Sequence, residues 1–232
     1  MENTWRVDGA IAKHLETGAQ LQLEAPSSGI VGFPQFDGRV FGVRPAAENS
    51  AELTFGDAYA RGADLIARYQ PSPGFPFRTE IYWRIEPSPT SERLLQLSLI
   101  VSVETDLLDT YPSVVVESRV PADRCQVMAM DETGQPIAAG RDQATLITAD
   151  CQSSGKQYCE AVHPSDASEA MLATASPVEG NATLQWQLFS RFLEKGVIRR
   201  ARLSATLITD GTEASIKAWY RRFAGEAPPL TV

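Results

Sequence analysis

Between Phe77 and Glu86 the chain alternates almost without error. Phe77, Thr79, Ile81, Trp83 and Ile85 fall on one side of an extended backbone, and Arg78, Glu80, Tyr82, Arg84 and Glu86 on the other. Successive side chains of a strand point to opposite faces, so this spacing predicts a half-buried strand with a charged outer face. Leu95, Leu97, Leu99, Val101 and Val103 repeat the pattern one segment later. The connector over 87–91 holds two prolines, cannot continue a ladder and reads as a turn. Val114-Val115-Val116 predicts a more buried strand, and residues 63–69 a neighbour of the first.

Further on the pattern weakens. Short strands are expected over 125–130, 145–148 and 157–162, and residues 164–178 read as loop with a short helix around 168–173. Two segments look like hairpins. Glu16-Thr17-Gly18 separates two extended runs within 10–25, and Glu194-Lys195-Gly196 separates 184–193 from 197–209. A three-residue loop ending in glycine suits a type I turn followed by a bulge. In that second register Trp186 would face Ser204 and lie diagonal to Arg202, an arrangement for a cation–π contact.

Near the C-terminus the period changes. Ile216, Trp219, Tyr220 and Phe223 recur at helical spacing and form one apolar stripe that reads as core. Asp210 and Glu213 resemble a capping box, and Gly225 with Pro228-Pro229 marks the stop, giving a helix over about 212–224. These elements together predict a mainly β protein, either a β-sandwich or large twisted antiparallel sheets, with the C-terminal helix packed on the sheet. Large twisted sandwiches occur among sugar-handling proteins, an analogy without functional weight. No repeat or linker divides the 232 residues, so a single β-rich domain over 1–232 is expected.

Composition narrows the class. Hydrophobic residues make up 43% and charged residues 22%, close to the globular average. No run of about 18 apolar residues occurs, so no membrane helix is expected. The first residues lack a basic start followed by an apolar stretch, which makes the cytoplasm the expected location. Net charge is −8, with 13 basic and 25 acidic groups over 1–189 but 8 basic and 3 acidic over 190–222. The bulk of the chain repels phosphate, so a nucleic-acid partner is not expected. An anion or acidic partner would be welcome only at Arg199, Arg200, Arg202, Arg221 and Arg222, unless these pair with the acidic body of the chain itself.

Signature motifs are missing. There is no GxGxxG, no P-loop around Gly155-Lys156, no GxSxG and no HExxH, hence no cofactor expectation. Ser153 and Lys156 match SxxK, but in a glycine turn rather than on a helix. Cys125, Cys151 and Cys159 are odd in number and lack CxxC spacing, which suits buried free thiols better than zinc or a disulfide frame.

The candidates are therefore individual side chains. His14 and His163 are the only histidines, too few for a histidine-rich metal site, though convergence would make them an acid–base pair. Glu104, Asp106 and Asp109 cluster at a strand end and read as either a cleft or a solvated turn. Arg78, Glu80, Tyr82 and Arg84 stand in a row on one strand face. Cross-strand ion pairs explain that row, and so does a polar groove with Tyr82 as platform for a sugar or peptide. Trp186, Arg200 and Arg202 complete the ligand-binding candidates.

The first functional expectation is a soluble non-catalytic module binding a partner protein or small polar ligand. The alternative is an enzyme acting on a carbohydrate or similar polar substrate with carboxylate and histidine acid–base residues. Homo-oligomerisation through an exposed strand edge is a third.

Overall fold

The structure, a computed structural model, describes residues 3–34, 36–46, 52–86, 93–138, 143–151, 155–209 and 211–227. The connector over 87–91, together with Ser153 and Asp210, lies outside the described residues.

The protein is mainly β with one C-terminal helix packed on a sheet. In chain order β1 is Trp5–Asp8, β2 Ile11–His14, β3 Gln20–Gln22, β4 Arg39–Pro45, β5 Thr54–Arg61, β6 Asp64–Gln70, β7 Arg78–Ile85 and β8 Arg93–Glu104. Then come β9 Val114–Val120, β10 Arg124–Met130, β11 Pro136–Ile137, β12 Leu146–Cys151, β13 Lys156–Val162, β14 Ala170–Val178, β15 Asn181–Leu188, β16 Arg199–Ile208 and helix α1 Glu213–Ala224. Among the described residues they form three sheets. A nine-stranded antiparallel sheet runs β11-β10-β12-β13-β16-β8-β7-β6-β5, a four-stranded sheet runs β14-β15-β9-β4, and a small one joins β1, β2 and β3.

Alternation builds the core. Ile81 and Trp83 of β7, Leu97 to Val103 at alternate positions of β8, and Ala201 to Leu207 at alternate positions of β16 are fully buried. They meet Val114 and Val116 of β9 and Leu184, Trp186 and Leu188 of β15 in one cluster between the two larger sheets. Proline respects the sheet edges. Pro45, Pro136 and Pro177 lie in β4, β11 and β14, each an edge strand, where a missing N–H costs no ladder bond.

The opposite face of the large sheet is divided. Residues Ile216, Trp219, Tyr220 and Phe223 of α1 cover Met130, Leu146, Cys159, Ala161 and Ile208 on β10, β12, β13 and β16. The Thr212 side chain accepts the Ser215 N–H and caps the helix, in place of the Asp210–Glu213 box expected from sequence. Gly225 ends the helix with φ −86, so its freedom at positive φ is not used. Beyond the helix, the described residues of the same face line a groove over β16, β8, β7, β6 and β5.

Two expectations are corrected. The 184–209 hairpin does not form. β15 pairs with β14 and β9, whereas β16 pairs with β13 and β8, so the segment between them crosses from one sheet to the other. Buried Phe189, at φ 66, turns the chain there, and Leu193 bridges to Thr110. Residues 164–178 are not mainly loop: a 3-10 turn over Pro164–Glu169 leads into β14. The hairpin within 10–25 does form, with Lys13 opposite Gln20 and Gly18 at φ 77.

None of the three cysteines is in a disulfide. Cys151 faces the core between the sheets and Cys159 faces the helix, on opposite faces of adjacent strands. That geometry forbids a bridge.

Candidate functional site

The open part of the large sheet forms a groove of about 180 Å³ beside the end of α1. Its floor is the outer face of β6, β7, β8 and β16. Register aligns these rows: Tyr82 and Arg202 both lie opposite Ile100, Arg84 and Ser204 opposite Ser98, and Asp64 opposite Arg84. Phe223 and Glu226, at the end of the helix, form one wall, and Arg61 closes the far side.

The groove carries both signs of charge. Arg84 forks onto Asp64, with Nε to Oδ1 at 2.8 Å and Nη2 to Oδ2 at 2.9 Å. This planar pairing fixes the guanidinium in place. Arg202, only 6% exposed, is held more tightly. It donates to Asp166 at 2.8 Å, to the Ser165 hydroxyl at 2.6 Å, to His163 Nδ1 at 3.0 Å and to the Glu226 carbonyl at 3.4 Å. Arg200 lies one pair along β16 and donates through Nε to Ser102 at 3.0 Å.

Two carboxyls face each other across the end of the groove. Glu86 accepts from Ser98 at 2.9 Å and from the Gln96 amide. Partial burial of the Glu226 carboxyl, and then the charge of Glu86, push the Glu226 pKa upward. Tyr82 supplies an aromatic wall. Its hydroxyl donates to Glu80 at 2.7 Å, and burial together with that bond pushes its pKa up to about 12. Two neighbouring carboxyls in one groove are an arrangement that acid–base chemistry uses.

The sequence-derived candidates divide between this groove and elsewhere. Tyr82, Arg84, Arg200 and Arg202 line it. Glu80 lies just outside it, paired with Arg68 at 2.8 Å, and Arg78 lies at the other end of β7, paired with Glu104 at 3.0 Å and Asp106 at 3.4 Å. Most of the β7 row is thus a ladder of cross-strand ion pairs that runs into a groove. Glu104 and Asp106 are spent on Arg78.

The histidines do not meet. His14 sits on β2, packed edge-on against Trp5, with Nδ1 bonded to Thr17. His163 packs edge-on against Phe223 of α1. Its Nδ1 faces Arg202 and the Ser165 N–H, which can only donate, so this nitrogen accepts and the ring is neutral. Burial, then the charge of Arg202, lower its pKa. The lone pair a general base would use is already occupied.

Trp186 is in the core, fully buried, and its indole N–H donates to Glu160 at 3.0 Å. It does not stack on Arg202, because β15 and β16 belong to different sheets and Arg202 faces away from the interior.

Sequence reasoning missed Arg61, Asp64, Ser98 and Glu226. Asp64 and Ser98 occupy the outward positions next to Arg84, a signal visible only once strand register is known. Glu226 lies 140 residues from Glu86 in the chain and carries no local signal.

A larger depression of about 550 Å³ lies elsewhere, lined by residues such as Pro45, Phe75, Phe77 and Tyr111. It is more open to solvent and no acid or base lines it. Among the described residues no cluster of three or more His, Cys, Asp or Glu has the geometry of a metal site. No described helix is long and apolar enough to cross a membrane.

No family model and no curated protein matches the sequence. Among solved structures, the chain is similar to a candidate aldose 1-epimerase from Klebsiella pneumoniae, with TM-score 0.44 and 12% identity over 70% of this chain and 55% of that one. It is also similar to a candidate kojibiose phosphorylase from the human microbiome, with TM-score 0.43 and 10% identity over 83% of this chain and 26% of that one. A heparinase III matches with TM-score 0.33 and 10% identity over 68% of this chain and 21% of that one. The chain therefore spans about half the length of the first, about a quarter of the second and about a fifth of the third. These are likenesses of chain trace, and no groove residue is carried over from them.

Proposed function

We propose that the groove between α1 and β5 is the ligand site of this protein and takes a small polar molecule of about monosaccharide size. The observation that carries this is the concentration of aimed polar groups on a rigid sheet face. Asp64, Arg84, Arg200, Arg202, Glu86 and Ser98 converge on one concavity with Tyr82 and Phe223 as aromatic walls. Specific small-molecule sites pair apolar or aromatic walls with a few placed polar groups. At about 180 Å³ the space is below the usual range for drug-sized ligands, and it is concave where a docking face for a protein is broad. Both features favour a small ligand over a partner protein.

A second reading is an enzyme at the same site. It is favoured by Glu226, whose carboxyl is raised beside Glu86. In that reading Glu226 would donate a proton to a substrate oxygen and the Glu86 carboxyl beside it would accept one.

A thermal-shift screen of the full chain against monosaccharides, sugar acids, amino sugars and polyols tests the ligand reading. A ligand at 100 times its Kd adds about 2.7 kcal/mol, or roughly 5–10 °C in Tm for a chain of this size. Ile100→Trp, which fills the groove floor, is expected to abolish the shift. A screen with no hit, or hits untouched by Ile100→Trp, overturns the proposal. Proton NMR of each hit incubated with protein tests the enzyme reading: turnover lost in Glu226→Gln supports it, and unchanged ligand removes it.

A further inference from the structure

The groove guanidiniums are not all neutralised, and the difference identifies the kind of ligand. Arg84 is matched by Asp64 and Arg202 by Asp166. Arg200 has a single partner, the Ser102 hydroxyl on Nε. Its two terminal nitrogens have none among the described residues. The charge of Glu80 reaches Arg200, but that carboxyl already takes Arg68 at 2.8 Å and the Tyr82 hydroxyl at 2.7 Å. Arg61, across the groove, makes no ion pair or side-chain hydrogen bond among the described residues. The Arg61 charge reaches Tyr82 and the Arg200 charge reaches Glu80, to which the Tyr82 hydroxyl is bonded, and both arginines line the same concavity.

A half-buried guanidinium without a carboxylate is costly unless something charged arrives to meet it. Arg presents a planar fork that fits a carboxylate through two parallel bonds. The rest of the groove restricts the ligand further. Glu86 and Glu226 stand beyond the row of Arg84, at the end of the groove away from Arg200, where a second negative charge would be repelled, but where hydroxyl groups find acceptors. Resting on the ligand reading above, we infer that Arg200 and Arg61 form a carboxylate subsite, and that the ligand is a hydroxylated monocarboxylate such as a sugar acid.

Isothermal titration of the full chain with glucuronate, galacturonate and gluconate, each beside its neutral counterpart, tests this. At least one acid is expected to bind about tenfold or more tighter than its neutral partner, the gain a charge-assisted bidentate contact gives. Arg200→Gln and, separately, the exposed Arg61→Gln should each reduce the acid to about the affinity of the neutral sugar. Neither residue is in the packed core, and the Arg61 side chain makes no ion pair or hydrogen bond among the described residues. Equal binding of acid and neutral sugar, both lost in Ile100→Trp, overturns the carboxylate subsite and leaves the ligand reading standing. Binding of neither in the wild-type chain overturns both. Preference for the acid that survives both arginine substitutions overturns the assignment to these residues.

Discussion

The indole N–H of Trp186 on β15 donates to the Glu160 carboxyl on β13 at 3.0 Å, spanning the interior between the two larger sheets. Tyr158 donates to the other oxygen at 2.6 Å, and the Ser118 hydroxyl of β9 bonds to the same carboxyl. An acid at 0% exposure is thus met by donors from both sheets. Removing one donor leaves a buried acceptor short of a partner, at about 1–3 kcal/mol, and shrinking the ring adds a cavity. Trp186→Phe is therefore expected to lower unfolding free energy by about 3 kcal/mol, read from urea melts. A change below 0.5 kcal/mol would show that the bond contributes nothing.

The same acid gives the stability a pH signature. Burial raises the Glu160 pKa, and the bonds from Ser118, Tyr158 and Trp186 only partly offset that rise. The folded protein therefore holds this proton more tightly than the unfolded chain. The resulting stabilisation is fully present below the unfolded pKa and is lost as pH rises through the folded one. Relative to Glu160→Gln, which cannot ionise, the wild type should lose stability as pH rises above the ordinary glutamate value of about 4.3. Any constant offset between the two proteins does not bear on the test. A difference that stays flat with pH would place the Glu160 pKa at its ordinary value.

Asp166 behaves in the opposite sense. Burial raises its pKa, but the bonds from Arg202 and Ser165 and the Arg202 charge outweigh that and leave it lowered. Its contribution is present above the unfolded pKa and is lost as pH falls through the folded one. Asp166→Asn leaves the 8%-exposed Arg202 side chain uncompensated and should cost about 3 kcal/mol. If Asp166→Asn melts with the wild type, Arg202 has found another partner and the latch between β16 and the 164–169 turn is dispensable.

The two faces of β7 should respond very differently to mutation. Arg78 is exposed and paired at the surface, so Arg78→Ala should cost less than about 1 kcal/mol, and less still at high salt. Ile81 is fully buried in the core, and Ile81→Ala should cost about 2–5 kcal/mol. Equilibrium unfolding of both variants checks the contrast. Similar losses at the two positions would contradict the assigned faces.

The features legible in the residues alone are local. Period-two alternation placed Ile81 and Trp83 inside and Arg84 outside, and period 3.6 placed Trp219 and Phe223 on one helix face, because a side chain's direction follows from its own backbone conformation. A strand's partner does not follow from its own residues. Val197 to Thr209 alternates as well whether it pairs with β15 or with β8 and β13, and only the competition of the whole core for burial decides between them. That decision separated Trp186 from Arg202, joined Trp186 to Glu160, and aligned Asp64, Arg84 and Ser98 into one floor. It also brought Glu226 from the end of the helix to Glu86. The groove belongs to the tertiary structure because its parts are neighbours across strands, and hydrogen-bond register across strands is settled by packing far away in the chain.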